Sequence, residues 1–228
     1  MMGSEQSVGS AVISMGGNVI ILHENEVEIS WLSITVCRPP TQFAVDHFNT
    51  MLMTNCITTN CSGTYYFRGT EEVTGKVAIE NTTMITNTVF QPLFRLISIA
   101  LEFSRNRILN NNLIQSAVVL LIYDSESVFR DNMFTENSGD SCGPIAVLVI
   151  DSTIKLQEAN RFMQSVGNGI ASSASQITFE GLTTFDANDA CYGPITSLDS
   201  TLNISGSIVF IQNNIQIFGG AMFLSADG

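Results

Sequence analysis

An apolar residue followed three positions later by asparagine recurs along almost the whole chain, at Ile57–Asn60, Met84–Asn87, Leu109–Asn112, Phe134–Asn137, Phe185–Asn188 and Phe210–Asn213. Phe162 with Ser165 fills the one gap, so the apolar positions recur at a nearly constant interval. Leu32 lies one such interval before Ile57 and extends the series. A period this regular restricts the chain to a stack of similar coils, each burying its apolar edge on its neighbours. The chain has 19 asparagines in 228 residues, too few to place one after six of seven apolar positions by chance.

The prolines give an independent check on the period. Pro39, Pro40, Pro92, Pro144 and Pro194 all follow a ladder position at a similar short distance, which puts them at one corner of the coil. Proline fixes φ and donates no backbone hydrogen bond, so it suits a corner and not the middle of a paired strand. Gly143-Pro144, Gly193-Pro194 and Gly219-Gly220 mark the same corner, and Gly16-Gly17 marks it in a first, partial coil.

Between corners the chain reads as short strands. Ile154-Lys155-Leu156, Ile177-Thr178-Phe179 and Leu202-Asn203-Ile204 alternate with period two. Val118–Ile122 and Ala146–Ile150 are continuous apolar runs rich in β-branched residues. No helical period is present, and the leucine spacing of a leucine-rich repeat is absent. Three short strands and three corners in about 25 residues describe an all-β, right-handed, single-stranded parallel β-helix, a solenoid of about 8–9 coils stacked about 4.8 Å apart. Apolar ladder residues should then face inward. The asparagines should occupy bends, bonded to the coils above and below and tolerating left-handed backbone.

Residues 1–228 read as a single β-helix domain without a linker. Both ends look cut in mid-coil, which suggests a fragment of a longer protein. The net charge of −12 argues against nucleic acid and anionic membrane surfaces as partners. No apolar stretch is long enough for a transmembrane helix, and the N-terminus lacks the basic and apolar regions of a signal peptide.

Cys37, Cys56, Cys61, Cys142 and Cys191 are an odd number without metal-binding spacing. They read as small buried residues, with a Cys56–Cys61 bridge as the alternative. Cys142 and Cys191 occupy the same corner two coils apart, about 10 Å by the coil spacing, too far for a disulfide. Sequons occur at Asn60, Asn81 and Asn203. Asn60, as a ladder residue, should be inaccessible, whereas Asn203 lies between two inward residues and should point outward.

The last two coils carry a family signature. One reads Leu202-Asn203-Ile204-Ser205-Gly206, then Phe210-Ile211-Gln212-Asn213, then Gly219-Gly220-Ala221-Met222; its predecessor has Phe185-Asp186-Ala187-Asn188 and Gly193-Pro194-Ile195. This resembles the repeats of chlamydial polymorphic outer-membrane proteins, with their F-x-x-N and G-G-A-[ILV] motifs. The resemblance implies a pectin-lyase-like right-handed β-helix and a secreted or cell-surface role in adhesion or structure, with glycans or cell-surface proteins as partners. Earlier coils replace the Phe with Leu, Met or Ile, and G-G-A is intact once.

Catalytic signatures are absent. His23 and His47 lie in no motif, and the Asp pair, G-H-G and R-I-K of polygalacturonase-type hydrolases do not occur. No catalytic, cofactor or metal residue is assigned. One acidic row remains: Asp124, Asp151 and Asp199 each precede a serine, with Ala174 in the coil between the last two. These read as turn formers. The alternative is a polysaccharide lyase or hydrolase, with its active site on that row or in coils elsewhere. An enzyme should place several charged residues on one face of adjacent coils to form a groove; a scaffold should not.

Overall fold

The computed structural model describes residues 11–13, 19–22, 26–30, 32–35, 42–46, 48–62, 64–69, 75–115, 117–217 and 220–225. These residues form an all-β solenoid without a helix. The chain visits three sheets in turn. The first runs from Ala11–Ile13 to Ser207–Ile211 and the second from Val19–Leu22 to Met222–Ser225, nine strands each; the third, of eight strands, runs from Glu26–Ser30 to Thr201–Ile204. Each strand pairs in parallel with its counterpart one coil away, as in Phe134↔Phe162 and Phe162↔Phe185. Among the described residues, eight coils supply all three sheets and a ninth supplies two.

What turns the chain at each corner is a single residue in the left-handed region, followed by a polar side chain directed inward. After the first sheet the left-handed residues are Thr86 (φ 54°), Asn110 (53°), Glu136 (56°) and Gln164 (49°), and the inward partners are Asn87, Asn111, Asn137 and Ser165. The asparagine carbonyl accepts the backbone N–H of the preceding coil's equivalent residue: Asn87 N to Asn111 Oδ1 is 3.0 Å and Asn111 N to Asn137 Oδ1 is 3.1 Å. The amide donates to the preceding coil's carbonyl, from Asn137 Nδ2 to Ile108 O (2.9 Å) and from Asn188 Nδ2 to Phe162 O (2.9 Å). The ladder asparagines are thus beside the left-handed bend, not in it as the sequence suggested. Their buried amides satisfy backbone groups that the bend removes from the sheets.

The same device occurs at the other two corners. Between the third and first sheets, Asn106, Asn132 and Asn160 form a second buried ladder: Asn106 N to Asn132 Oδ1 is 3.0 Å and Asn132 N to Asn160 Oδ1 is 3.2 Å. Between the second and third sheets serine takes the role, from Ser125 N to Ser152 Oγ (3.0 Å) and from Ser152 N to Ser175 Oγ (3.2 Å).

The register differs from the sequence expectation in three coils. The strand pairs align Ile34, Thr58, Met84, Ile108, Phe134, Phe162, Phe185 and Phe210. The ladder therefore passes through Thr58 and Ile108, not Ile57 and Leu109, with Ile34 rather than Leu32 in register with them, and its polar partners are Cys61 and Asn111, not Asn60 and Asn112. Ile57 is 46% exposed while Thr58 is buried, its hydroxyl 2.7 Å from the Tyr65 hydroxyl. Burial pushes the Tyr65 hydroxyl above its ordinary pKa. Asn60 is an exposed left-handed residue and not an inaccessible one. Asn203 is exposed, as expected.

Inside the first sheet the ladder becomes a column of rings. Phe134–Phe162, Phe162–Phe185 and Phe185–Phe210 stack at 4.9, 4.9 and 5.3 Å between centroids, with interplanar angles of 3°, 11° and 14°. Each buried ring contributes about 1.5–3 kcal/mol from burial alone. Pro92 and Pro194 precede second-sheet strands, and Pro144 is the first residue of one, as the corner reading requires. Pro39, Pro40, Cys37, Gly16-Gly17, Gly219 and both histidines lie outside the described residues.

The cysteine expectation is overturned. Cys142 and Cys191 form a disulfide with a Cα–Cα distance of 4.7 Å, although they belong to coils two apart. The reason is the coil between them. Val147, Ile170 and Ile195 are paired equivalents, and the loop that reaches them from the polar ladder is longest from Asn137, shortest from Ser165 and intermediate from Asn188. The short middle loop leaves a gap, and the two longer ones close over it, with Cys191 N donating to Ser141 O at 2.9 Å. Gly167 (φ +124°) permits this, because a Cβ there would lie 2.9 Å from Asp140 O. Cys61 is disulfide-bonded too, while Cys56 remains a buried thiol as expected. Cys56 and Cys61 occupy different corners, at the two ends of the strand Ile57–Thr59, so the bridge between them does not form.

At the third-to-first corner, Asp131 and Glu158 are left-handed neighbours on successive coils. The Glu158 carboxyl is held above its usual range, first by its hydrogen bond to Asp131, then by desolvation and the Asp131 charge. A raised carboxyl favours folding at acid pH, and that contribution is lost as pH rises through the folded pKa. Glu158→Gln should therefore raise the urea midpoint relative to the native chain at about pH 7.5 but not at about pH 4. The register makes a second prediction. Asn111→Ala should cost about 3 kcal/mol because it strands buried backbone groups, whereas Asn112→Ala should fall within about 0.5 kcal/mol of the native chain; urea unfolding of both checks it.

Candidate functional site: the outer face of the third sheet

Broad concavities lie on the solvent face of the third sheet. Two contiguous depressions of ≈ 710 Å³ each share Lys76, Ala100, Glu126, Thr153 and Gln176. Register explains the composition. One outward row reads Thr50, Lys76, Ala100, Glu126, Thr153, Gln176 and the next reads Leu52, Ala78, Glu102, Val128, Lys155, Thr178. Ala78 and Ala100 form a floor because alanine leaves the space that larger neighbours would fill. Lys76 and Glu126 stand across Ala100, two coils apart, as do Glu102 and Lys155 across Val128. At about 10 Å along the axis neither pair closes, and among the described residues none of these four charges forms an ion pair. Both lysines of the chain lie here.

The acidic row borders this groove. Asp124 and Asp151 line one depression, on adjacent coils, with Ala174 next along the axis and Asp199 one coil further. Each of the three is a left-handed corner residue, with φ of 48°, 48° and 45°. Asp124 accepts a hydrogen bond from Ser98 Oγ at 2.9 Å. The serines that follow, Ser125, Ser152 and Ser200, are the ones that bond along the axis. This is the geometry of turn formers. The row does not converge, because Ala174 separates Asp151 from Asp199 by two coil steps, about 10 Å. No group of three or more His, Cys, Asp or Glu among the described residues could hold a metal ion.

The charged groove has no signature along the linear sequence. Lys76, Glu102, Glu126 and Lys155 come from four successive coils, and no short spacing links them in sequence. The signal that could have found them is the register: Lys155 was read on an alternating strand, and stacking the coils on the inward residues brings the other three alongside it.

No family model and no characterised protein matches the sequence. Two solved structures are similar in outline. One is QnrB1, a plasmid-mediated fluoroquinolone resistance protein, at 9% identity and a TM-score of 0.29, covering 94% of this chain and 92% of that one. The other is the A-module of the mannuronan C-5 epimerase AlgE4 of Azotobacter vinelandii, at 11% identity and a TM-score of 0.21, covering 93% and 91%. The parallel β-solenoid architecture stands on the strand pairing of this chain.

If the acidic row forms turns, Asp151→Asn should leave stability unchanged, since asparagine tolerates the left-handed region, whereas Asp151→Val should cost roughly 1–2 kcal/mol. Thermal or urea unfolding of the two variants checks it.

Proposed function

We propose that this chain is a rigid binding segment of an extracellular or cell-surface protein, and that the third-sheet groove takes a glycan in extended form. The observation that carries this reading is the groove, a long, straight depression with an alanine floor and unpaired charges of both signs at fixed intervals. Such a surface offers hydroxyl groups both donors and acceptors along its whole length. A parallel β-helix supplies the rigidity, since each coil is fixed by the next. The disulfides at Cys142–Cys191 and Cys61 suit an oxidising compartment. Adhesion through glycans or surface proteins, a right-handed winding and kinship with the outer-membrane protein repeats are consistent with this role.

A glycan array probed with the native chain and with Ala100→Trp tests the reading. The tryptophan fills the floor from the solvent side and leaves the core intact. Binding to one glycan class that falls at least tenfold in Ala100→Trp is expected; an array that is blank, or identical for the two proteins, overturns it.

A second reading has one specific observation in its favour. Lys76 and Lys155 stand beside Glu102 and Glu126 on adjacent coils, with Asp124 and Asp151 at the rim, the charged face that an enzyme acting on polysaccharides would need. Release of new reducing ends or unsaturated products from a bound glycan would favour it.

A further inference from the structure

We propose that the outer face of the first sheet binds an anionic glycan whose negative charges fall on alternate sugars. One outward row of this sheet reads Thr83, Arg107, Met133, Arg161, Thr184 on five successive coils, paired residue to residue. Arg107, Met133 and Arg161 line a depression of ≈ 300 Å³ with Arg105, Asp131 and Ala159.

The charges in and beside it sort into two groups. Arg105 is occupied by Glu80, at 2.8 Å, and Arg130, at the same corner, donates to Gln157 Oε1 at 2.9 Å. Asp131 accepts from Ala159 N at 3.2 Å, and Glu158 shares its corner on the next coil. Arg107 and Arg161 stand on the sheet face itself, exposed, and among the described residues neither forms an ion pair. A chain with nine cations and a net charge of −12 has no general attraction for polyanions. Two unpaired guanidinium groups in one row are therefore a local exception, and guanidinium matches carboxylate and sulfate oxygens in bidentate fashion.

The spacing defines the ligand. The two arginines are two coils apart, about 10 Å along a straight row, which is close to one disaccharide of an extended glycan. Met133 between them offers an apolar surface to the uncharged sugar, and the threonines at either end offer hydroxyls. A polymer charged on every sugar would set a carboxylate against Met133. A polymer charged on every second sugar would set one against each arginine. This row and the third-sheet groove are on different sheets, and the two assignments share only a ligand class.

Binding of three probes to the native chain, to Arg107→Gln/Arg161→Gln and to Lys76→Gln/Lys155→Gln tests the proposal. The probes are hyaluronan oligosaccharides, with a carboxylate on alternate sugars, polygalacturonate, with one on every sugar, and neutral dextran. The native chain should prefer hyaluronan, with an affinity that falls as salt rises. The arginine pair variant should lose at least about tenfold of it, and the lysine pair variant should keep it. Unfolding curves of both variants check that the exposed replacements leave the fold intact. Absence of hyaluronan binding, equal binding of dextran, preference for polygalacturonate, or loss in the lysine variant alone would each overturn the assignment. The last result would leave the third-sheet reading standing, and a blank for charged probes with binding of a neutral glycan would do the same.

Discussion

Buried polar side chains at the corners, hydrogen-bonded along the solenoid axis, are what the rest of this structure depends on. A coil must turn three times within a single repeat. Each turn takes a residue out of the β region and removes its neighbours from the regular ladder. In a water-excluded stack those groups would be stranded at a cost of about 1–3 kcal/mol each. Asn87, Asn111, Asn137 and Asn188 at one corner, Asn106 and Asn132 at another, and Ser125, Ser152 and Ser175 at the third each supply an acceptor to the preceding coil. The apolar columns follow from this. Once the corners are held in register, Phe134, Phe162, Phe185 and Phe210 have no choice but to lie over one another.

The same register composes the outer faces. Since every coil places its residues directly over those of the last, surface rows combine residues a full repeat apart in sequence. The third-sheet groove with Lys76 and Glu126 and the first-sheet row with Arg107 and Arg161 are both products of stacking. A solenoid surface is therefore written down the columns of the repeat, and its chemistry is invisible along any single coil.

This explains what could be read from the sequence and what could not. The period, the strand-rich coil and the proline corner were legible, because Phe and Asn recur at intervals that only a stack would keep. The register slipped where the local sequence offered a decoy. Asn110, Asn111 and Asn112 are consecutive, and only packing chooses the middle one. At Ile57–Asn60 hydrophobicity pointed to the wrong residue, because the true pair, Thr58 and Cys61, satisfies its polar atoms inside the core. The second ladder has its own signal in the sequence: Asn106–Asn111 and Asn132–Asn137 are both five apart, one strand and two bends. Aspartate before serine is legible in the sequence, but the serine is the half of the pair that bonds along the axis. The Cys142–Cys191 bridge was illegible to any argument that gave each coil the same loop, since it exists because one loop is short.

That bridge changes how the rod would answer a pull on its ends. A stack held only by contacts between neighbours can peel coil by coil, each released segment lengthening as it leaves. With Cys142 tied to Cys191, the stretch between them, at a sequence separation of 49, cannot extend. Fully drawn out it would have added roughly 170 Å at about 3.5 Å per residue. Tension arriving from either side would pass through the sulfur atoms and bypass the coil between, which would keep its shape while its neighbours unravelled. Pulled from both ends, the solenoid would thus fail in two separate pieces around an inextensible middle.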